Sequence, residues 1–275
     1  MSTSTIENNP NKHSNRILEI DLLRGIAVLF MILDHIMYDL WGLLPDMFLD
    51  YPIKLYNFAA SYWVWDFRIY FRYFIVFIFM GLVGVCGSFS KSNINRGLKL
   101  LGIAMLLTIG TLILSIYTGS YFNLITFGTL HCIALSLIMI GIMQKFINNK
   151  WIYLIIGLIM VGFGAYNEYI CEFAFIDEST KFKEMIEIIF GQILGSIEFG
   201  GDTMGFLLNG GQVLIGVFIG KLLYQKRESV FNFKYSNNVV TYVGRNSLLV
   251  YFLHQVIIPI VIGLILIMLG YHFVF

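Results

Sequence analysis

Charge is what this chain has least of. Asp, Glu, Lys and Arg together make up 13% of its 275 residues, against roughly 25% in an average soluble domain. With 58% of positions hydrophobic and a mean hydropathy of +0.78, a water-soluble globular domain is excluded and a membrane protein is implied. The formal net charge of +1 offers no bulk field for nucleic acid. Cysteine is sparse as well. Cys86, Cys132 and Cys171 are an odd number without CxxC spacing, so neither a disulfide framework nor a zinc site is indicated, and no metal is expected. Proline occurs 4 times, and Pro259 alone falls inside a long apolar run. The other runs therefore escape the missing N–H and ring clash that break helices. No internal repeat, low-complexity tract or second domain is discernible.

What is present is length in the apolar runs. A helix needs about 20 apolar residues to cross a bilayer, and such runs occupy 17–41, 69–89, 98–117, 124–146, 151–169, 206–224 and 248–273. The pattern predicts an all-α polytopic membrane bundle of seven transmembrane helices, one domain over residues 17–275 behind a disordered tail at 1–16. The tail carries no signal-peptide pattern. Lys12 and Arg16 precede the first helix, Lys91, Arg96 and Lys99 fill the second connection, and Lys145 and Lys150 the fourth. Lys221, Lys226, Arg227, Lys234 and Arg245 surround the sixth. A cytoplasmic N-terminus puts all of them on the cytoplasmic side, as the excess of Lys and Arg there requires. Acidic residues gather on the other side: Glu168, Glu172, Asp177, Glu178, Glu184, Glu187, Glu198 and Asp202 lie in the fifth connection. That connection contains an amphipathic stretch at 182–200, expected as an interfacial or re-entrant helix. The first external connection, 42–68, is rich in Trp and Tyr ("SYWVWDFRIY"), which favour the headgroup boundary. Both external segments are candidates to roof a cavity.

The first run, "EIDLLRGIAVLFMILDHIMYDL", is unusual for its ionisable residues. At about 100° per residue, Asp21, Arg24, His35 and Asp39 share one face and Asp34 lies well off it. An ionisable group at mid-bilayer costs ~2.5 to 3.5 kcal/mol on insertion scales, so that face is expected to look into the bundle or a wet cavity. Asp21 and Arg24 also suit a simple i, i+3 pair snorkelling to the boundary, with Asp39 at the opposite boundary. His35 does not, because it lies ~16 Å deeper than Arg24. A neutral imidazole there is a proton acceptor, and Asp39 or Asp34 is a candidate to orient its other nitrogen. Two more histidines occur in membrane runs, His131 in "TFGTLHCIALS" and His254 in "GRNSLLVYFLHQVIIP". Convergence of all three on one cavity is one reading, which makes His131 a candidate positioning residue; the other, slightly preferred for His131, is a satisfied interhelical hydrogen-bonder, as a buried histidine most often is. Pro259 is expected to bend the seventh helix and leave the Gln255 carbonyl free, which favours His254 and Gln255 facing something polar.

Five blocks in order, "RILEIDLLRGIAVLFMILDHIMYDL", "GSFSKSNINRGLKLL", "TFGTLHCIALS", "LIGVFIGKLLY" and "VGRNSLLVYFLHQ", resemble the catalytic domain of the heparan-alpha-glucosaminide N-acetyltransferase family in its short bacterial members. Arg24 and His35 also match the arginine-to-histidine spacing of the wider transmembrane acyltransferase superfamily. The resemblance implies a multi-pass cell-membrane enzyme that transfers an acyl group, acetyl in the first instance, from cytoplasmic acetyl-CoA or another acyl-CoA to an extracytoplasmic sugar or envelope acceptor. It implies His35 as base, with Asp21 and Arg24 positioning the site. Ser90, Lys91, Arg96 and Lys99 are candidates for the CoA phosphates, although positive-inside placement explains them too. Asn246, Ser247, His254, Gln255 and Asp202 are candidates to line the acyl or acceptor path. Membrane lipid is an expected partner, a homodimer is a further expectation, and no nucleic acid is expected.

Two departures bear on the acceptor side. The lysosomal enzymes' histidine in the first non-cytoplasmic loop has no counterpart between residues 42 and 68, so the role of His35 rests on the wider superfamily. The family's proline-rich stretch before the sixth helix is here "FGGDTMGFLLNGGQVLIG", and its HQP has become "HQV". The alternatives are a proton-coupled transporter, for which buried Asp, His and Arg also serve, and an inactive scaffold of the same family.

Overall fold

The computed structural model describes residues 16–119, 121, 124–176, 180–200, 202–231 and 236–274. The expected tail at 1–15 with Lys12, and Asp177, Glu178 and Lys234, lie outside the described residues. The chain is an all-α bundle: α1 (Leu18–Tyr38), α2 (Ile53–Trp63), α3 (Asp66–Phe89), α4 (Asn93–Thr118), α5 (Thr129–Phe146), α6 (Lys150–Tyr169), α7 (Phe182–Leu194), α8 (Phe206–Leu223), α9 (Val239–Arg245) and α10 (Ser247–Met268). Six of them, α3, α4, α5, α6, α8 and α10, are long and apolar enough to cross a membrane. The seventh expected span is α1. Its 21 residues match the others in length, and Glu19, Asp21, Arg24 and Asp34 set it apart from the apolar six. The protein is thus a multi-pass membrane protein.

One apolar core joins α1, α3, α4, α5, α6, α8 and α10 through residues such as Val28, Met80, Leu100, Leu130, Tyr153, Val213 and Tyr251. Lipid offers no hydrophobic drive between helices, so close backbone packing over small residues holds such bundles together. The α3–α8 crossing shows how. A Cβ on Gly84 would stand 1.9 Å from the Val213 carbonyl oxygen, and one on Gly216 would stand 2.0 Å from that of Gly81. The α1–α9 crossing is as tight, since Cβ atoms on Gly25 and Gly244 would meet the carbonyls of Val240 and Asp21. That second crossing sets α9 against the start of α1, and the first turns of α10 then meet α1 near its end, at His35.

The two ends of the bundle differ in charge. The basic end carries Arg16, Arg24, Arg96, Lys99, Lys145, Lys150, Lys221, Arg227 and Arg245; the acidic end carries Asp34, Asp39, Glu168, Glu172, Glu198 and Asp202. At the acidic end α1 runs into a π turn, Asp39–Leu43, and a 3-10 turn, Leu44–Met47. The chain then forms α2, a helix within the Trp- and Tyr-rich connection. The expected amphipathic helix at 182–200 is α7 with a two-residue parallel pairing of β1 (Glu172–Phe173) and β2 (Ile197–Glu198). α10 passes through Pro259 as one continuous helix.

Candidate active site

α1 places chemistry at both ends of the bundle. Near the basic end the Arg24 guanidinium donates to the Gly244 carbonyl at 3.3 Å and to Cys86 Sγ, and pairs with Asp21 at 3.8 Å. Asp21 also faces Arg16 at 3.7 Å. Arg24 thereby lines a cavity of about 530 Å³ with three further cations, Arg96, Lys99 and Arg245. Arg24, Arg96 and Lys99 come from the first two turns of α1 and α4, and Arg245 ends α9. The apolar walls, Phe79, Leu130 and Ile133, come from α3 and the start of α5, and Asn246, Ser247 and Tyr251 complete the lining at the start of α10. The arrangement suits an elongated ligand with a polyanionic head and a slender apolar tail.

Near the acidic end a second cavity, about 160 Å³, is lined by His35, Asp34, Tyr38, Arg68, Thr129 and Asp202, with an aromatic wall that includes Phe30, Trp63 and Phe71. Three rings cluster together. His35 and His254 stand 4.8 Å apart between centroids, and Tyr251 is 5.8 Å from His35 and 5.3 Å from His254. Tyr251 faces the basic-end cavity and His35 faces the acidic-end one. The cluster thus links a residue of one lining to a residue of the other, with His254 against both rings.

The hydrogen bonds settle the tautomers. His35 Nδ1 lies 2.7 Å from the Met31 carbonyl oxygen, and His254 Nδ1 lies 3.3 Å from that of Val250. A carbonyl only accepts, so each Nδ1 carries the hydrogen and each Nε2 of a neutral ring keeps its lone pair. His254 Nε2 and the Tyr251 hydroxyl are buried and make no hydrogen bond among the described residues. Both atoms lie on rings of the cluster, with centroids 5.3 Å apart.

The carboxylates expected to orient His35 do other work. Asp34 takes a bidentate bond from Arg68, 3.2 Å from Nε and 2.9 Å from Nη2, and a further hydrogen bond from Tyr62. Arg68 in turn lies over the Trp63 ring at 3.8 Å. The set ties α2 and α3 to the last turn of α1. Burial, and then the Asp34 carboxylate beside it, push the Tyr62 hydroxyl up to about 12. Asp39 is buried at the start of the π turn, with no side-chain bond to the His35 ring. The orienting role therefore passes from both aspartates to the Met31 carbonyl, because a helical His reaches its own i−4 carbonyl more directly than a carboxylate on the next turn.

His131 is fully engaged. The Thr108 hydroxyl spends its hydrogen on the Ile125 carbonyl at 2.7 Å, so His131 Nε2–H donates to that oxygen at 3.2 Å while Nδ1 accepts from the Gly128 N–H at 3.3 Å. With both nitrogens used, this imidazole is a structural strut. Asp202 receives the Thr129 N–H and hydroxyl at 3.0 and 2.9 Å, holding the start of α5 beside the acidic-end cavity.

Ser90 and Lys91 line neither cavity. The Ser90 carbonyl accepts from Asn93 and its hydroxyl from the Ser92 N–H, and Lys91 is exposed. Arg24 and Arg245 stand where those two residues were expected. Gln255 is half-buried away from both cavities. Sequence reasoning passed over Tyr251, although it lies three residues before His254 and so shares its helix face. It also passed over Arg245 as a cavity residue and over Arg68, Tyr62 and Thr129.

A family model described as heparan-alpha-glucosaminide N-acetyltransferase, catalytic, matches residues 16–256. No curated protein and no solved structure matches.

Proposed function

The chain belongs to the heparan-alpha-glucosaminide N-acetyltransferase catalytic family, and on that premise we propose that it carries an acyl group, acetyl in the first instance, from acyl-CoA at the basic end to an acceptor at the acidic end. The basic end is cytoplasmic on this reading, because Lys and Arg are retained on that side. The acceptor is then an extracytoplasmic sugar or related envelope molecule. What carries the reading is the three-ring cluster: His35 faces one cavity, Tyr251 faces the other, and their rings are 5.8 Å apart.

Arg24, Arg96, Lys99 and Arg245 hold the CoA phosphates as charge-assisted donors. The pantetheine arm runs between Phe79, Leu130 and Ile133, bringing the thioester to Tyr251. An acceptor hydroxyl or amine enters the acidic-end cavity, and His35 Nε2 removes its proton as the oxygen or nitrogen bonds to the acyl carbon. The buried Tyr251 hydroxyl donates to the carbonyl oxygen as it gains charge. The carbon–sulfur bond then breaks. The proton that His35 has taken passes to the open Nε2 of His254, 4.8 Å away between ring centroids, and from there to the departing sulfur, so that CoA leaves as the thiol and both imidazoles return to neutral.

The test is transfer of label from acetyl-CoA to envelope extract by purified protein. Base catalysis of this kind is worth ~10²- to 10⁴-fold, so His35→Ala is expected to lose that much while remaining monodisperse. Transfer at the wild-type rate in that variant would overturn the assignment.

A further inference from the structure

A third cavity, about 290 Å³, opens at the basic end on the other side of α3 from the acyl-CoA cavity, lined by Ser88, Phe89, Asn148, Lys150, Lys221 and Arg227 among others. No carboxylate lines it, and among the described residues none pairs with these three cations. The cations are held in place by other means. Lys221 Nζ sits 4.4 Å above the Tyr153 ring. Arg227 donates to the Phe89 carbonyl at 2.7 Å from a backbone with φ of 56°, the left-handed region that non-glycine residues rarely occupy. The wall is rigid because Gly220 lies so close to Ser88 that a Cβ there would stand 2.3 Å from the hydroxyl oxygen.

Retention of positive charge on one side of a membrane accounts for lysines at this end of the bundle. It does not account for two lysines and an arginine converging on a polar recess with no counter-charge in its lining, where each raises the cost of the others. The surroundings indicate what offsets that cost. Trp151 is 53% exposed and Leu222 43%, and they are the chain neighbours of Lys150 and Lys221. Aromatic and aliphatic side chains beside a basic recess are the surface a lipid presents its chains to, with its headgroup at the recess.

We propose that this cavity binds the phosphate headgroup of an anionic phospholipid, whose acyl chains lie along the Trp151 and Leu222 flank. The site joins the ends of α3 and α8 to the α5–α6 connection, so the bound lipid clamps three elements at one corner of the bundle. It is independent of the acyl-transfer reading.

The experiment is native mass spectrometry of the full-length protein in detergent, titrated with phosphatidylglycerol or with phosphatidylcholine of matched chains. At about fivefold in affinity per cation, the triple variant Lys150→Gln, Lys221→Gln, Arg227→Gln is expected to bind phosphatidylglycerol about a hundredfold more weakly, and phosphatidylcholine as before. Lys221 also packs on Tyr153, so Lys150→Gln alone serves as the second variant. It is expected to weaken phosphatidylglycerol about fivefold without changing the melting temperature in lipid-free detergent. Equal retention of the two lipids by the wild type, or unchanged phosphatidylglycerol retention in both variants, overturns the proposal. A third arm uses inorganic pyrophosphate. Thermal stabilisation by pyrophosphate at lower concentration than by phosphatidylglycerol would assign the recess to a soluble anion and overturn the lipid.

Discussion

A neutral imidazole has one lone pair to offer, and its other nitrogen decides which one. In His35 and His254 alike the i−4 carbonyl takes the Nδ1 hydrogen, leaving Nε2 open. In His131 both nitrogens are engaged. Three histidines that look equivalent as letters therefore divide into two of one kind and one of another. The division predicts different phenotypes. His254→Gln is expected to slow transfer while leaving acyl-CoA affinity near wild type, as measured by comparing kcat with KM. His131→Ala is expected to lower the melting temperature by the loss of a buried hydrogen-bonded strut, ~1 to 3 kcal/mol, and transfer per folded molecule is expected to survive.

Helices carry these residues to their places, and α1 carries the most. It packs into the apolar core through Ala27, Val28 and Met31, while Arg24 and His35 reach the two cavities. Its last turn is anchored by the Asp34–Arg68 pair rather than by lipid contact. Arg68 is 7% exposed, and removing one partner from such a pair leaves an uncompensated buried charge. Arg68→Ala is therefore expected to cost about 3 to 5 kcal/mol, read as a drop in thermal stability, and to loosen α2 in hydrogen exchange. The α3–α8 crossing makes a matching prediction. At Gly84 any side chain meets backbone only 1.9 Å away, so Gly84→Val is expected to force the helices apart and to reduce the yield of monodisperse protein, whereas Gly102→Ala, with nothing within 4 Å, is expected to be silent.

Taken whole, the molecule has one cavity lined by four cations and another lined by two arginines and two aspartates, with His35 and Tyr251 of the ring cluster in one lining each. The larger is ringed by cations from α1, α4 and the α9–α10 junction, which no single segment of chain supplies. If that ring grips phosphates, neutralising Arg96, Lys99 and Arg245 together is expected to raise the KM for acyl-CoA much more than it lowers kcat. The KM of the wild type is also expected to rise with ionic strength. A triple variant with unchanged KM would remove the cavity from the acyl-CoA path.

Much of this was legible in the order of residues. Each of the seven apolar runs became one helix, because length and hydropathy are properties of a segment by itself. The depth of His35 below Arg24 was legible for the same reason, since the rise per residue of a helix is constant. The basic and acidic ends followed from charge alone. Direction around each helix axis, and the neighbour it meets, were not legible. Asp34, well off the face of His35 on the helical wheel, lines the same cavity because α2 and α3 bring Arg68 and Tyr62 to it. Ser90 and Lys91 line neither cavity, and Arg245 reaches the basic-end cavity because close packing at Gly25 and Gly244 draws α9 against α1. Tyr251 joined the ring cluster only when α10 packed beside α1. Segment properties depend on local chemistry, which sequence carries in full; the meeting of His35, Tyr251 and His254 depends on how closely whole helices approach, which is decided by glycines and buried pairs acting together across more than 200 positions of chain.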